Sequence, residues 1–254
     1  GGWGYGWKDF PDNWAGEWGA IGMVAAEHYW GVKAPDWVKV RNTNWVETSK
    51  GNGFGYTGAG CNDACAATTP SGLVQLAFAG VTTSHELWQH GENFLANNWG
   101  MVLGQNNVYA NYAIAKALRL AQPQAVERFA ANGMDWFRDP ANGLARFTID
   151  HQQANGAWTS GRWVEERLAT SWSVIILSSS LFQRGPVAVL TAKPNPSAVG
   201  YPVVFDARSS YHQHPAYAIV DYRWIFDASR GLDFEHPDAT GPVAPNIVGA
   251  LGTN

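Results

Sequence analysis

Positions 51 to 65 read Gly-Asn-Gly-Phe-Gly-Tyr-Thr-Gly-Ala-Gly-Cys-Asn-Asp-Ala-Cys and hold the chain's two cysteines, Cys61 and Cys65, with Asp63 between them. Three chemistries are open to that spacing. A thiolate and a carboxylate are both zinc ligands, but a catalytic zinc needs a third protein ligand and an open fourth position. Two thiols can also stay reduced, or oxidise to a staple that closes a small loop at the start of a helix. The nearest histidines, His85 and His90, lie in "HELWQHGE". A metalloprotease helix sets two histidines four apart on one face, with a Glu beside the first. Here they are five apart, a rotation of about 140°. The inward stripe of that segment is Leu87, Trp88, Gly91, Phe94 and Leu95, which leaves His85, Glu86, Gln89, His90 and Glu92 as its solvated face. That motif is excluded. No cofactor and no metal is expected, with Asp63 and Cys65 as the only metal candidates.

Other chemistry-bearing patterns are sparse. The chain has no Gly-x-Ser-x-Gly elbow and no glycine-rich phosphate loop after a strand. His212-Gln213-His214 reads as a surface turn. Asp206, Asp221 and Asp227 are oxygen donors of the kind calcium takes, and equally the acids that cap turns. Fourteen tryptophans are the unusual feature. Most read as helix-packing residues, but the turn-borne aromatics Trp3, Tyr5, Trp7, Phe54, Tyr56 and Trp158 have the chemistry to line a ligand site, with Glu17, Asp63, Glu165 and Glu166 as acids near them.

The elements that must position these residues change type along the chain. Gly2-Trp3-Gly4-Tyr5 returns as Gly53-Phe54-Gly55-Tyr56, an offset of 51, and more loosely as Gln153-Ala154-Asn155-Gly156-Ala157-Trp158. Gly104 to Tyr109 is a degenerate copy between them. A period of that length marks stacked supersecondary units. Helical spacing predicts helices over 12–30 and from Pro35 onward, then from Thr69-Pro70 to Gly80, with Pro70 in the first turn. Further helices are expected after Ser84, over Val108–Ala121, Ala125–Phe137 and Leu144–Gln153, and over Val164–Phe182, the last as an interior helix. That makes about eight helices in four pairs. After Gly185-Pro186 the segments "VAVLTAKP", "PVVFDARSS" and "AIVDYRWIFDA" alternate in β-branched and aromatic residues, so strands follow and a boundary falls between 1–184 and 185–254.

The helical part resembles the prenyltransferase and squalene-cyclase repeat family, on the strength of Gly1–Tyr5, Gly53–Tyr56 and Gln153–Trp158. The resemblance implies an α/α toroid, here a partial one of about four helix pairs. It also implies Asp63-Ala64-Cys65 as a zinc pair, yet the later helix that would bring the third ligand, near Asn107, offers Ala110 and no histidine. The family's cyclases need an aspartate cluster as acid, whereas Asp9 with Asp12 and Asp135 with Asp139 are too far apart for one. The second part resembles a PKD-type immunoglobulin-like domain through Pro186-Val187-Ala188, Phe205-Asp206-Ala207 and Asp221-Tyr222-Arg223-Trp224. Its last strand is not seen before Asn254, so an incomplete β-sandwich is expected. Such domains imply an extracellular or cell-surface setting, and with it a Cys61–Cys65 disulfide.

A formal charge of −4 provides no basic footprint for nucleic acid or an anionic membrane. No run approaches the ~18 apolar residues of a membrane span. The chain opens inside a motif and without Met, which reads as a processing boundary. The expected function is a secreted or cell-surface repeat protein: a non-catalytic module for binding or assembly, partnered by itself, by other surface proteins or by glycans. The alternative is a terpenoid-cyclase-like, prenyltransferase-like or carbohydrate-active enzyme whose catalytic residues lie partly elsewhere, with Trp3, Tyr5, Phe54, Tyr56 and Trp158 lining the site.

Overall fold

The computed structural model describes residues 2–6, 8–60, 65–161, 164–178, 186–212, 217–227 and 235–247. Among the described residues eight helices precede seven short strands: α1 (Asn13–Trp30), α2 (Asp36–Thr48), α3 (Cys65–Ala79), α4 (Glu86–Asn97), α5 (Trp99–Gly104), α6 (Val108–Leu120), α7 (Leu144–Asp150) and α8 (Glu166–Leu177). The strands are β1 (Pro186–Val187), β2 (Thr191–Lys193), β3 (Pro202–Asp206), β4 (Tyr211–His212), β5 (Arg223–Trp224), β6 (Ala239–Thr240) and β7 (Val243–Ile247). The chain divides into two compact units, Gly1–Val24 with Lys33–Gln183, and Ala25–Val32 with Arg184–Asn254.

In the first unit α3 is the central element. It packs against α2, α4 and α6, while α6 packs in turn on α8 and α8 on α7. Every residue of α3 from Cys65 to Phe78 is buried, which its small residues (Ala66, Ala67, Ser71, Gly72, Ala77) permit by letting neighbours approach on all sides. Phe54 uses that room. A Cβ on Gly72 would meet its Cδ2 at 2.5 Å, and one on Gly91 of α4 would meet its Cε2 at 2.8 Å. The ring is therefore held between two helices at positions where only glycine leaves space.

Two glycine-aromatic turns dock in the same way. The backbone N–H of Phe54 donates to the hydroxyl of Thr69 at 3.0 Å, and that of Trp158 donates to the hydroxyl of Thr170 at 3.0 Å. Thr69 is the fifth residue of α3 and Thr170 the fifth of α8. The Phe54 carbonyl then accepts from Thr68 at 2.6 Å. Each turn thus hands its main-chain polar groups to the next helix and its aromatic ring to the core.

That docking also accounts for a difference from the local signals. Thr69-Pro70 predicts a helix starting there, but α3 begins at Cys65 and carries Pro70 inside it. The missing intrahelical bond of the proline is outweighed by Thr68 and Thr69 gripping Phe54 from the turn before it. The helix expected over 125–137 is absent. Turn chemistry wins there: the Asp135 carboxylate accepts the backbone N–H groups of Phe137 and Arg138, and Gly133 adopts φ +70° in a tight reversal joining Phe129 to Met134. The third helix pair is accordingly not formed, and α5 is a short helix the periodicity does not reveal. Nor is α8 interior. It buries Ala169, Trp172, Ser173 and Ile176 along one stripe and leaves Leu168 and Val174 exposed.

The second unit holds small antiparallel sheets: β2-β3-β7, β1-β4 and β5-β6. In β3, Val203 points to the core and Val204 outward, as the period of two requires. Phe205, Trp224 and Phe226 form an aromatic cluster, and the Trp224 indole N–H donates to the Gly241 carbonyl at 2.7 Å. The chain is thus helical first and β second.

Candidate functional site

Ionisable side chains converge at one place in the first unit, among α1, α3 and α6. Glu17 stands on the second turn of α1, and Lys116 and Tyr109 stand two turns apart on one face of α6. The Lys116 ammonium pairs directly with Oε1 of Glu17, and both side chains are 0 % exposed. The other oxygen, Oε2, accepts the Tyr109 hydroxyl at 2.6 Å and the Ser71 hydroxyl of α3 at 2.5 Å. Ser71 also lies 3.2 Å from the Tyr109 oxygen.

Aromatic rings wall this cluster. The ammonium sits 3.9 Å from the Tyr112 ring centroid and 4.5 Å from that of Trp18, within cation–π range. Tyr112 stacks on Trp172 at 5.4 Å and 10°, and Trp18 stacks on Trp172 at 6.2 Å and 28°. Trp14 touches both Tyr109, at 5.6 Å, and Tyr56, at 4.9 Å. Of these rings Trp18 is the most open, at 45 % exposure.

A neutral network adjoins the charged one. The buried Asn13 amide donates to the Ser49 hydroxyl at 2.9 Å and to the Gly55 carbonyl at 2.6 Å. Its oxygen accepts from the Trp45 indole at 3.1 Å and from Gln75 at 2.9 Å. One side chain thereby ties α1 to α2, α3 and the glycine-rich turn.

Burial dominates the electrostatics. It pushes the Tyr109 phenol well above its ordinary value, and the Glu17 carboxylate adds to that rise. Tyr112 is pushed up to about 12 for the same reasons. Burial lowers the Lys116 ammonium, against the opposing pull of Glu17. Asp12 is raised by burial despite accepting the N–H groups of Trp14 and Ala15 at the start of α1. An amine, a carboxyl and two hydroxyls in an apolar enclosure can share protons or condense.

The turn aromatics named from the sequence go to different places. Phe54 is fully buried, and Trp158 is nearly so, its indole donating to the Thr148 carbonyl at 2.6 Å. Trp3 rests edge-on against Phe78 at 6.1 Å. Tyr56 lies beside Trp14 and exchanges a hydrogen bond with Tyr5, its phenol pushed up to about 12 by burial and then by Asp12. Tyr5 itself is 75 % exposed. Trp7, Cys61 and Asp63 lie outside the described residues. Cys65 opens α3, its Sγ 3.5 Å from the Phe54 carbonyl oxygen. Among the described residues no three His, Cys, Asp or Glu side chains gather as a metal set.

Several acids are committed elsewhere. Glu92 is not on a solvated face: it is buried, accepting the Trp88 indole N–H at 2.8 Å and the Ala130 backbone N–H at 2.8 Å. It bridges α4 to the irregular segment that replaces the expected helix. Asp206 is gripped by Arg208 and Asp221 pairs with Arg223. The Arg208 guanidinium holds the Asp206 carboxyl down at about 2. Glu165 and Glu166 are exposed at the start of α8.

Sequence reasoning reached Glu17 but missed Lys116, Tyr109, Ser71 and Trp172. One signal for the lysine was present. In "VYANYAIAKALRL" Lys116 is the single charge on a stripe that is otherwise apolar, and a lysine so placed needs an anion. No protein-family model matches the chain, and neither a curated protein nor a solved structure matches it.

Proposed function

We propose that the chain is a secreted or cell-surface repeat module that binds or assembles rather than catalyses. On this reading the first unit is part of an α/α toroid of the prenyltransferase and squalene-cyclase kind, the second is a PKD-like sandwich, and Cys61 is disulfide-bonded to Cys65. The like docking of the two glycine-aromatic turns on the fifth residue of α3 and of α8 supports a repeat. One contrast carries the functional reading. The ionisable cluster is enclosed and internally paired, whereas the outer side of α2 presents apolar surface: Trp37 is 61 % exposed and Val40 58 %, one turn on.

Arg41 lies 5.1 Å over the Trp37 ring, a cation–π contact. An ordered Trp beside an Arg is the composition of an interface centre. Sedimentation across a wide concentration range tests this reading. The full chain should show a mass that rises with concentration, and Trp37→Ala should hold it monomeric. A monomer throughout, with no retention on immobilised glycans, would count against both assembly and glycan binding. A second reading is favoured by the rings of Trp14, Trp18, Tyr112 and Trp172 around Glu17: an enzyme of the same fold, acting on a polyprenyl or sugar substrate drawn under Trp18. Its mark would be turnover that Glu17→Gln abolishes while Trp37→Ala leaves it intact.

A further inference from the structure

We propose that Glu17 and Lys116 become joined by an intramolecular amide between Nζ and Cδ, formed by the folded chain itself. The two groups meet with no water-accessible surface on either side chain. The two hydroxyls of Tyr109 and Ser71 converge on the same carboxyl oxygen, Oε2, at 2.6 and 2.5 Å. That is the atom on which charge develops when an amine adds to the carboxyl carbon, so the pair forms a ready oxyanion site. The walls are aromatic: Tyr112 and Trp18 face the nitrogen, and Trp172 stacks on both.

The reaction balances within the chain. A proton passes from the ammonium to Oε1, a transfer that the apolar surroundings favour because it removes two charges at once. The freed lone pair of Nζ attacks Cδ, and the oxyanion on Oε2 is held by Tyr109 and Ser71. A second proton moves from Nζ to Oε1, the Cδ–Oε1 bond breaks, and water leaves. One ammonium and one carboxylate become one amide and one water, with no oxidant, reductant or co-reactant. Fixed proximity replaces the activation that such a condensation needs between free molecules.

The bond would tie α1 to α6 across ninety-nine positions, from 17 to 116, and no reductant would open it. Such a lock suits a module exposed to proteolysis or pulling, but the inference stands on the cluster alone and not on the proposed binding role. Intact mass of the full chain, after reduction, is the direct test. The expected mass is one water below that of the sequence, and digestion should release a branched peptide joining the segments that carry Glu17 and Lys116. Lys116→Met should restore the full sequence mass, and Glu17→Gln should lose ammonia instead of water if it closes the same bond. A wild-type chain at full sequence mass would overturn the proposal and leave the pair ionic. So would a water loss that persists in Lys116→Met or maps to other residues.

Discussion

Replacing Gly72 by alanine sets two known effects against each other. In a helix interior, alanine is favoured over glycine by about 0.8–1.0 kcal/mol. At this position the added methyl would lie 2.5 Å from Cδ2 of Phe54, 3.1 Å from Cγ and 3.3 Å from Cβ. The ring cannot swing away, because its far edge already faces Gly91 and its backbone is pinned by Thr68 and Thr69. Overpacking of that sort costs about 1–3 kcal/mol. The overlap wins, and Gly72→Ala should destabilise the first unit by up to about 2 kcal/mol. In a Phe54→Leu background the ring is gone, so the same Gly72→Ala change should become neutral or stabilising, a coupling that a double-mutant cycle reads directly. Urea unfolding followed by tryptophan fluorescence provides the assay, with the transition of the helical unit fitted separately. Stabilisation by Gly72→Ala in the wild-type background would refute the placement of Phe54 between the two glycines.

Two other outcomes follow from single groups. Reduction should add two hydrogens to the intact mass, and Cys61→Ser should lower stability by about 1–3 kcal/mol, the range for closure of a very short loop; an unchanged mass on reduction would remove the disulfide from the proposed extracellular reading. Asp206 should titrate near 2 by carboxyl NMR because Arg208 holds it ionised, and Arg208→Ala should return it toward 3.8. The sign is that of a depressed acid: the contribution is present above the ordinary value and lost as pH falls through about 2.

What was legible in the sequence is what a single segment encodes. α6 follows from its own apolar period, and the buried stripe of α4 from Leu87, Trp88, Gly91, Phe94 and Leu95. The switch from helices to strands is equally local, since alternation replaces helical spacing after Pro186. The failures lie where a distant partner overrules the segment. Pro70 looks like a first-turn proline until the Phe54 turn grips the residues before it. Glu92 looks solvated until the Trp88 indole and the Ala130 amide occupy its two oxygens. Residues 125–137 carry a helical pattern, yet Asp135, Asn132 and Gly133 have side chains or torsions that satisfy the backbone without a helix.

The buried cluster shows how far such reading can be extended. A charged residue embedded in an apolar stripe cannot stay there unpaired, since the desolvation of a lone ion exceeds what packing returns. Lys116 in α6 therefore requires an acid that is buried in its own element. Glu17 meets that condition, lying between Trp14 and Trp18 in α1 with no other acid in the ten residues around it but Asp12. Asp12 is already engaged by the N–H groups of Trp14 and Ala15. Reading α6 alone thus calls for a buried acid without saying which, since Glu92 is buried as well and is held by the Trp88 indole and the Ala130 N–H. What it cannot supply is the convergence of Tyr109 and Ser71 on one oxygen. That arrangement depends on α3 bringing the Ser71 hydroxyl, and α6 the Tyr109 hydroxyl, within reach of the same Glu17 oxygen.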